Sequence, residues 1–173
     1  MSQGSPGDEN RGLPDIDTFR RAMGRFATGV AMLTTRSRDV DYAMTASALT
    51  SVSLEPLLLL VCIEREARFH DTVLEAGVWG MSVLSGPDRP AADWLATRGR
   101  PLPGQLDRIP HHHGSQTGVA LLTGALATFE CRTTDVHPAG DHSIVVGEVV
   151  SVTSATHSRE ALVYYRGRYG TLA

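Results

Sequence analysis

The run Met44-Thr45-Ala46-Ser47-Ala48-Leu49-Thr50-Ser51-Val52-Ser53 constrains the fold more than any other stretch of this chain. It carries no charge, its side chains are mostly small or hydroxylated, and apolar runs at residues 30–35 and 57–63 flank it. A segment that polar, set where the chain reads as buried on both sides, must find partners for its hydroxyls and main-chain groups. Two solutions are open. Either Thr45, Ser47, Ser51 and Ser53 bond each other and nearby backbone, or they line a pocket and bond an acceptor-rich ligand such as a phosphorylated cofactor.

A length of 173 residues suits one domain with a sizeable core, here residues 15–173, behind a tail. The apolar fraction of 42% and charged fraction of 20% are those of a globular protein in water. A net charge of −3 without a Lys/Arg cluster gives no footprint for nucleic acid. No apolar run approaches the ~20 residues that cross a bilayer. The start, MSQGSPGDENRGLP, lacks the basic and apolar segments of a secretory signal, so the expected compartment is the cytoplasm. Cys62 and Cys131 form no CxxC pair and read as small buried hydrophobes.

Residues 1–14 are rich in Gly, Pro, Ser and Asp and read as a disordered tail. A helix capped by Asp15 or Asp17 follows, with Phe19, Met23 and Phe26 on one face, Arg20, Arg21 and Arg25 off it, and Gly29 as its end. That apolar stripe is expected to be core. Strands are expected at 30–35 and from Tyr42, and a strand buried on both faces at 56–63. A short helix at 68–75, a strand at 78–84 and a helix at 90–97 come next. Residues 98–119 read as a long loop. Strands at 121–133 and 143–152 and a terminal hairpin across Arg166-Gly167-Arg168 complete the chain. Roughly seven strands with small helices between them suggest a closed antiparallel barrel.

Several chemistries are excluded. There is no GxG and no GxSxG, so the dinucleotide fingerprint, the phosphate loop and the nucleophile elbow are all missing. His111-His112-His113 invites a metal reading, but adjacent residues in a loop cannot all face one ion, and no carboxylate or thiol is spaced to complete the set. No metal site is expected.

Phe19-Arg20-Arg21-Ala22-Met23-Gly24-Arg25-Phe26-Ala27-Thr28-Gly29-Val30 resembles the opening of the flavin reductase-like family, which has an FMN-binding split barrel. The uncharged run, extended through Leu54-Glu55-Pro56, is similar to that family's flavin-binding segment. Leu122-Thr123-Gly124-Ala125-Leu126-Ala127 with Glu130-Cys131, Gly140-Asp141-His142 with Gly147-Glu148-Val149, and the closing hairpin 162–169 match later motifs in the expected order.

The resemblance implies a mainly β, antiparallel split barrel and an NAD(P)H-dependent flavin reductase. Hydride passes from NADH or NADPH to FMN or FAD, and reduced flavin goes to a partner flavin-dependent monooxygenase. It implies that Thr45, Ala46 and Ser47 face the flavin ring, and that Ser51, Val52 and Ser53 hold the ribityl chain and phosphate. Ala67, Arg68 and Phe69 complete the phosphate site, with Arg68 as counter-charge at a helix N-terminus. Ser82 is implied as a further flavin-binding residue, at a position where many family members carry Asn, and members often carry hydroxyls where Ala67 and Phe69 stand. His142 has two readings, a backbone-bonding turn residue or the border of the nicotinamide. Tyr169 is either an aromatic wall of the site or a core tyrosine. Relatives of this kind are homodimers. Two alternatives share the barrel: a flavin carrier without reductase activity, and an oxidase of pyridoxine-phosphate type.

Overall fold

The computed structural model describes residues 13–101, 104–156 and 159–172. The expected tail therefore lies outside the described residues apart from Leu13 and Pro14. In chain order the elements are α1 (Ile16–Met23), β1 (Thr28–Gly29), β2 (Ala31–Ser37), β3 (Val40–Ala46), β4 (Leu49–Leu54) and β5 (Leu57–Glu64). Then come α2 (Arg68–Ala76), β6 (Val78–Val83), α3 (Arg89–Ala96), β7 (His111–His113) and β8 (Ala120–Leu122). β9 (Ala127–Ala139), β10 (His142–Ser154), β11 (Ala161–Tyr165) and β12 (Arg168–Leu172) finish the chain.

Seven of these strands form one antiparallel sheet in the order β3-β2-β6-β9-β10-β5-β4. Its two edge strands, β3 and β4, are joined by only Ser47 and Ala48. In a flat sheet six strand spacings of about 4.8 Å would hold those edges about 29 Å apart. Three Cα steps reach at most about 11 Å, so the sheet must roll until its edges nearly meet. No ladder joins β3 to β4, so the expected closed barrel is instead an open one, split at the uncharged run. β1, β11 and β12 form a separate three-stranded sheet, and β7 pairs with β8.

β2 is buried on both faces because its residues are apolar or small on both. Ala31 and Leu33 join a core with Val61, Ile63, Phe69, Val73, Trp79 and Val145. Val30 and Met32 join a second core with Leu84, Ala92, Leu95, Ile109 and Leu122. α2 covers the first core and ends at Gly77, whose φ of +65° suits a glycine. The β2–β3 hairpin turns through Arg38 and Asp39 at φ +50° and +62°, the two-residue turn whose twist matches its strands. Cys131 lies at the centre of the first core, and burial, with the Glu130 carboxylate adding to it, pushes its thiol up to about 12.

Five expectations change. The strand expected at 121–133 is two, β8 and β9, interrupted by a turn at residues 123–126. The Phe19, Met23 and Phe26 stripe is not core: α1 buries no residue, and Phe19 and Phe26 are 60% and 68% exposed. Periodicity identified the apolar face but not what covers it. The helix also stops at Gly24, leaving Thr28 and Gly29 to pair with β11. β5 is buried on one side only, through Val61 and Ile63, which face the first core; Cys62, turned to the other face, is half-buried. The 98–119 loop contains β7. No described helix is long and apolar enough to cross a membrane.

Candidate functional site

A groove of about 300 Å³ opens where β3, the β5–α2 connection and the segment after α3 converge. Residues 42–45 form one wall, Glu64 and residues 66–69 the second, and residues 95–100 with Gln105 the third. The volume is at the low end for small-molecule sites. Its charge is dominated by arginines. Arg98 Nη2 donates to both Glu64 carboxylate oxygens, at 2.8 and 3.0 Å, and is thereby neutralised. Arg68 and Arg100 have no carboxylate partner among the described residues.

Those two cations are held against each other. Arg68 Nη2 donates to the Arg100 carbonyl at 2.6 Å. Arg100 in turn donates to the carbonyls of Ala43 and Thr97, while its Nε is buried without a partner among the described residues. Burial, and then the Arg68 cation, hold the Arg100 guanidinium below its ordinary range. An anion between them would relieve the repulsion. The α2 N-terminus opens on the same groove, and its N-cap Ala67 offers no side-chain bond to the first helical amides. The donor set therefore suits a phosphate.

The uncharged run is shared between three surfaces. Thr45 lines the groove, but its hydroxyl is already donated to the Ala92 carbonyl at 2.8 Å. Ala46 is buried in the first core. Ser47 lines a different, apolar recess with Leu49, Tyr164 and the exposed face of α1. Ser51 and Val52 are exposed on β4 at a register shift, and Ser53 Oγ accepts from Glu55 N at 3.1 Å. Thr45 and Ser53 thus follow the backbone-bonding solution. Among the described residues, no protein hydrogen bond is recorded for the Ser47 or Ser51 hydroxyl, and both remain available to a ligand.

Ala67, Arg68 and Phe69 line the groove as expected, although the Phe69 side chain is buried in the core. His142 stands directly opposite Glu64 across the β5–β10 ladder, at the rim, with Nδ1 2.7 Å from Asp141 Oδ1. A proton on that Nδ1 leaves Nε2 as the free acceptor. Ser82 is not brought to the groove. It is fully buried, and its hydroxyl accepts from Leu122 N at 3.0 Å, anchoring β8. Tyr169 is also distant from the groove within one chain. It packs against the second core with its ring 5.4 Å from Tyr164. Arg98, Arg100 and Gln105 went unseen in the sequence because they lie in an aperiodic segment, and the Arg98-Gly99-Arg100 triplet was their only signal.

A family model described as the flavin reductase like domain matches residues 23–173. The NADH-dependent flavin reductase of Rhodococcus sp is 37% identical over 157 residues, covering 89% of this chain and 85% of the relative. The crystal structure of BorF, the flavin reductase component of a bacterial two-component tryptophan halogenase, is 43% identical with a TM-score of 0.86 and covers 91% of this chain and 98% of that one. The Streptomyces globisporus NADH:FAD oxidoreductase SgcE6, solved with NAD and FAD fragments, is 33% identical with a TM-score of 0.86, at 92% and 93% coverage.

Proposed function

The chain belongs to the flavin reductase-like family, and we propose that it uses the arginine-lined groove to hold the phosphate end of a flavin that NADH or NADPH reduces. It is an NAD(P)H-dependent flavin reductase of the kind that supplies reduced flavin to a separate flavin-dependent oxygenase. The relatives carry reductase names, which favours this reading over a flavin carrier or a pyridoxine-phosphate oxidase. The observation that carries the placement is the Arg68–Arg100 pair: two cations without a carboxylate partner among the described residues, lining one groove with a helix N-terminus.

When bound, the flavin supplies the hydride acceptor, so the protein needs neither a nucleophile nor a metal for that step. The residues of the chain bind and orient. Arg68, Arg100 and the first amides of α2 fix the phosphate, while the Thr45–Ser47 backbone and the Ser47 and Ser51 hydroxyls face the ring and ribityl chain. Of this set Arg68, Arg100 and Thr45 line the groove, whereas Ser47 and Ser51 are open to the outside. His142, held by Asp141, offers Nε2 at the rim to the nicotinamide carboxamide.

The working unit in this reading is a homodimer located in the cytoplasm. The exposed apolar face of α1, together with Leu49 and Tyr164, would be covered by a second copy. That copy would also enclose Ser47, completing a site that one chain leaves half open. The reading is tested by anaerobic stopped-flow mixing of the protein, NADH and FMN or FAD. Bleaching of the flavin absorbance near stoichiometric NADH is expected; flavin that binds but stays oxidised would overturn it.

A further inference from the structure

Residues 111–113 do not form a loop. They form β7, and strand alternation turns His111 and His113 to the same face while His112 turns away. The carboxylate missing from the local sequence comes from Asp41, at the start of the outgoing arm of the β2–β3 hairpin. One ligand atom from each of Asp41, His111 and His113 lies within 4.8 Å of the others. His113 Nε2 is 2.9 Å from Asp41 Oδ2. Ligands 2.0–2.1 Å from a tetrahedral ion stand about 3.4 Å apart, so the cluster needs only small side-chain adjustment.

Two further features favour an ion. His111 Nδ1 donates to the Ile109 carbonyl at 2.7 Å, the outer bond that fixes the tautomer of a ligating imidazole and leaves Nε2 its lone pair. His113 Nε2 also faces two groups with opposite demands. Asp41 Oδ2 asks it for a proton, whereas Arg36 Nη1, 2.6 Å away, offers one. A neutral imidazole nitrogen cannot satisfy both. A cation between His113 and Asp41 does satisfy the lone pairs, provided Arg36 yields. Arg36 Nη1 also donates to both Asp41 oxygens, at 3.2 and 3.4 Å, so the ion must displace it from both ligands; its Nη2 reaches Asp39 at 3.3 Å, which gives the displaced guanidinium another partner.

We propose that Asp41, His111 and His113 bind a divalent transition-metal ion of the zinc class, with water as the fourth ligand. Two imidazoles and one carboxylate suit such an ion better than magnesium or calcium. The partly exposed His113 leaves it a route in. A bound ion would tie the β2–β3 hairpin to β7, which directly follows the segment carrying Arg98, Arg100 and Gln105.

The test is equilibrium dialysis of the untagged full chain against buffered zinc, with metal content measured, and cobalt absorption as a second probe. One ion per chain is expected. His113→Asn and Asp41→Asn should each lower affinity by more than the 10–100-fold that loss of an outer-shell partner costs. His112→Asn should leave it unchanged, and Arg36→Gln should tighten binding by removing the competing cation. No stoichiometric binding, or binding unaffected by His113→Asn, would overturn the site. The His113 side chain is 44% exposed, so this variant decides the matter even where Asp41→Asn, which also breaks an ion pair, fails to fold.

Discussion

Thr45 donates its hydroxyl to the carbonyl oxygen of Ala92 at 2.8 Å, tying edge strand β3 to helix α3. The bond joins two walls of the groove, because the segment leaving α3 carries Arg98 and Arg100. The residue that the family resemblance assigns to the flavin ring therefore also anchors the helix that leads into the arginine segment.

Thr45→Val keeps the side-chain shape and removes that bond. A net loss of about 1 kcal/mol of stability is expected, of the size a single hydrogen bond contributes. Flavin affinity should fall with it, since α3 and the arginine wall loosen together. Thr45→Ser should retain both. Urea unfolding and flavin fluorescence titration, run on all three proteins, check the pairing.

Arg68→Met and Arg100→Met remove the proposed phosphate contacts one at a time. A charged hydrogen bond is worth about 1.5–3 kcal/mol, which corresponds to roughly a tenfold to hundredfold loss of FMN affinity. Riboflavin has no phosphate, so its affinity should hardly change in the same variants. Equal losses for FMN and riboflavin would move the phosphate elsewhere.

His142→Ala should raise the Michaelis constant for NADH more than that for flavin, as steady-state titration of each substrate will show. The variant also removes the hydrogen bond from His142 that, ahead of that residue's charge, holds the Asp141 carboxyl below its usual range. A depressed carboxyl contributes stability above its unfolded value, about 3.9, and loses it as pH falls through the lower folded value. The difference in thermal midpoint between the wild type and His142→Ala should therefore be present near pH 6 and shrink on acidification. A difference that grows instead would refute the coupling.

Gly147 on β10 lies against the indole of Trp79, where an added Cβ would stand 2.8 Å from the ring. Trp79 is 1% exposed and has no room to retreat. Gly147→Ala should destabilise the protein by about 1–3 kcal/mol, the usual cost of overfilling a core. Calorimetric midpoints measure this, and Gly29→Ala, whose Cβ would meet nothing within 4 Å, is the control.

Many strand positions, though not their order in the sheet, were legible because alternation and turn residues are local signals. The β2–β3 hairpin, β5, β6 and β10 fall within a few residues of where the sequence places them, whereas β9 starts and ends six residues later than the expected strand. The groove was legible only in part. Arg68 is marked by the helix it begins, but Arg100 depends on how residues 95–100 and Gln105 come to lie beside β3, which no periodicity encodes. Ser82 illustrates the converse. Its hydroxyl reads as a ligand from resemblance, yet the backbone amide of Leu122, 40 residues away, claims it. The Asp41–His113 contact is hidden for the same reason, since 72 residues separate two side chains that share a proton site.

α1 supplies the remaining prediction. Its capping is well formed, with Asp15 accepting from Thr18 N at 2.8 Å, so the helix is specified even though it buries nothing. Local bonds of that size contribute only about 1 kcal/mol, and eight residues are too few for an isolated helix to persist in water. An exposed Phe19, Met23 and Phe26 on such a helix makes sense if a second copy covers them. Phe19→Asp with Phe26→Asp should convert the protein to monomer in light scattering at micromolar concentration. Flavin affinity should fall in the monomer, because Ser47 opens onto the same recess. A double variant that stays dimeric would place the interface on another face. A monomer with undiminished flavin affinity would show that one chain encloses the whole site.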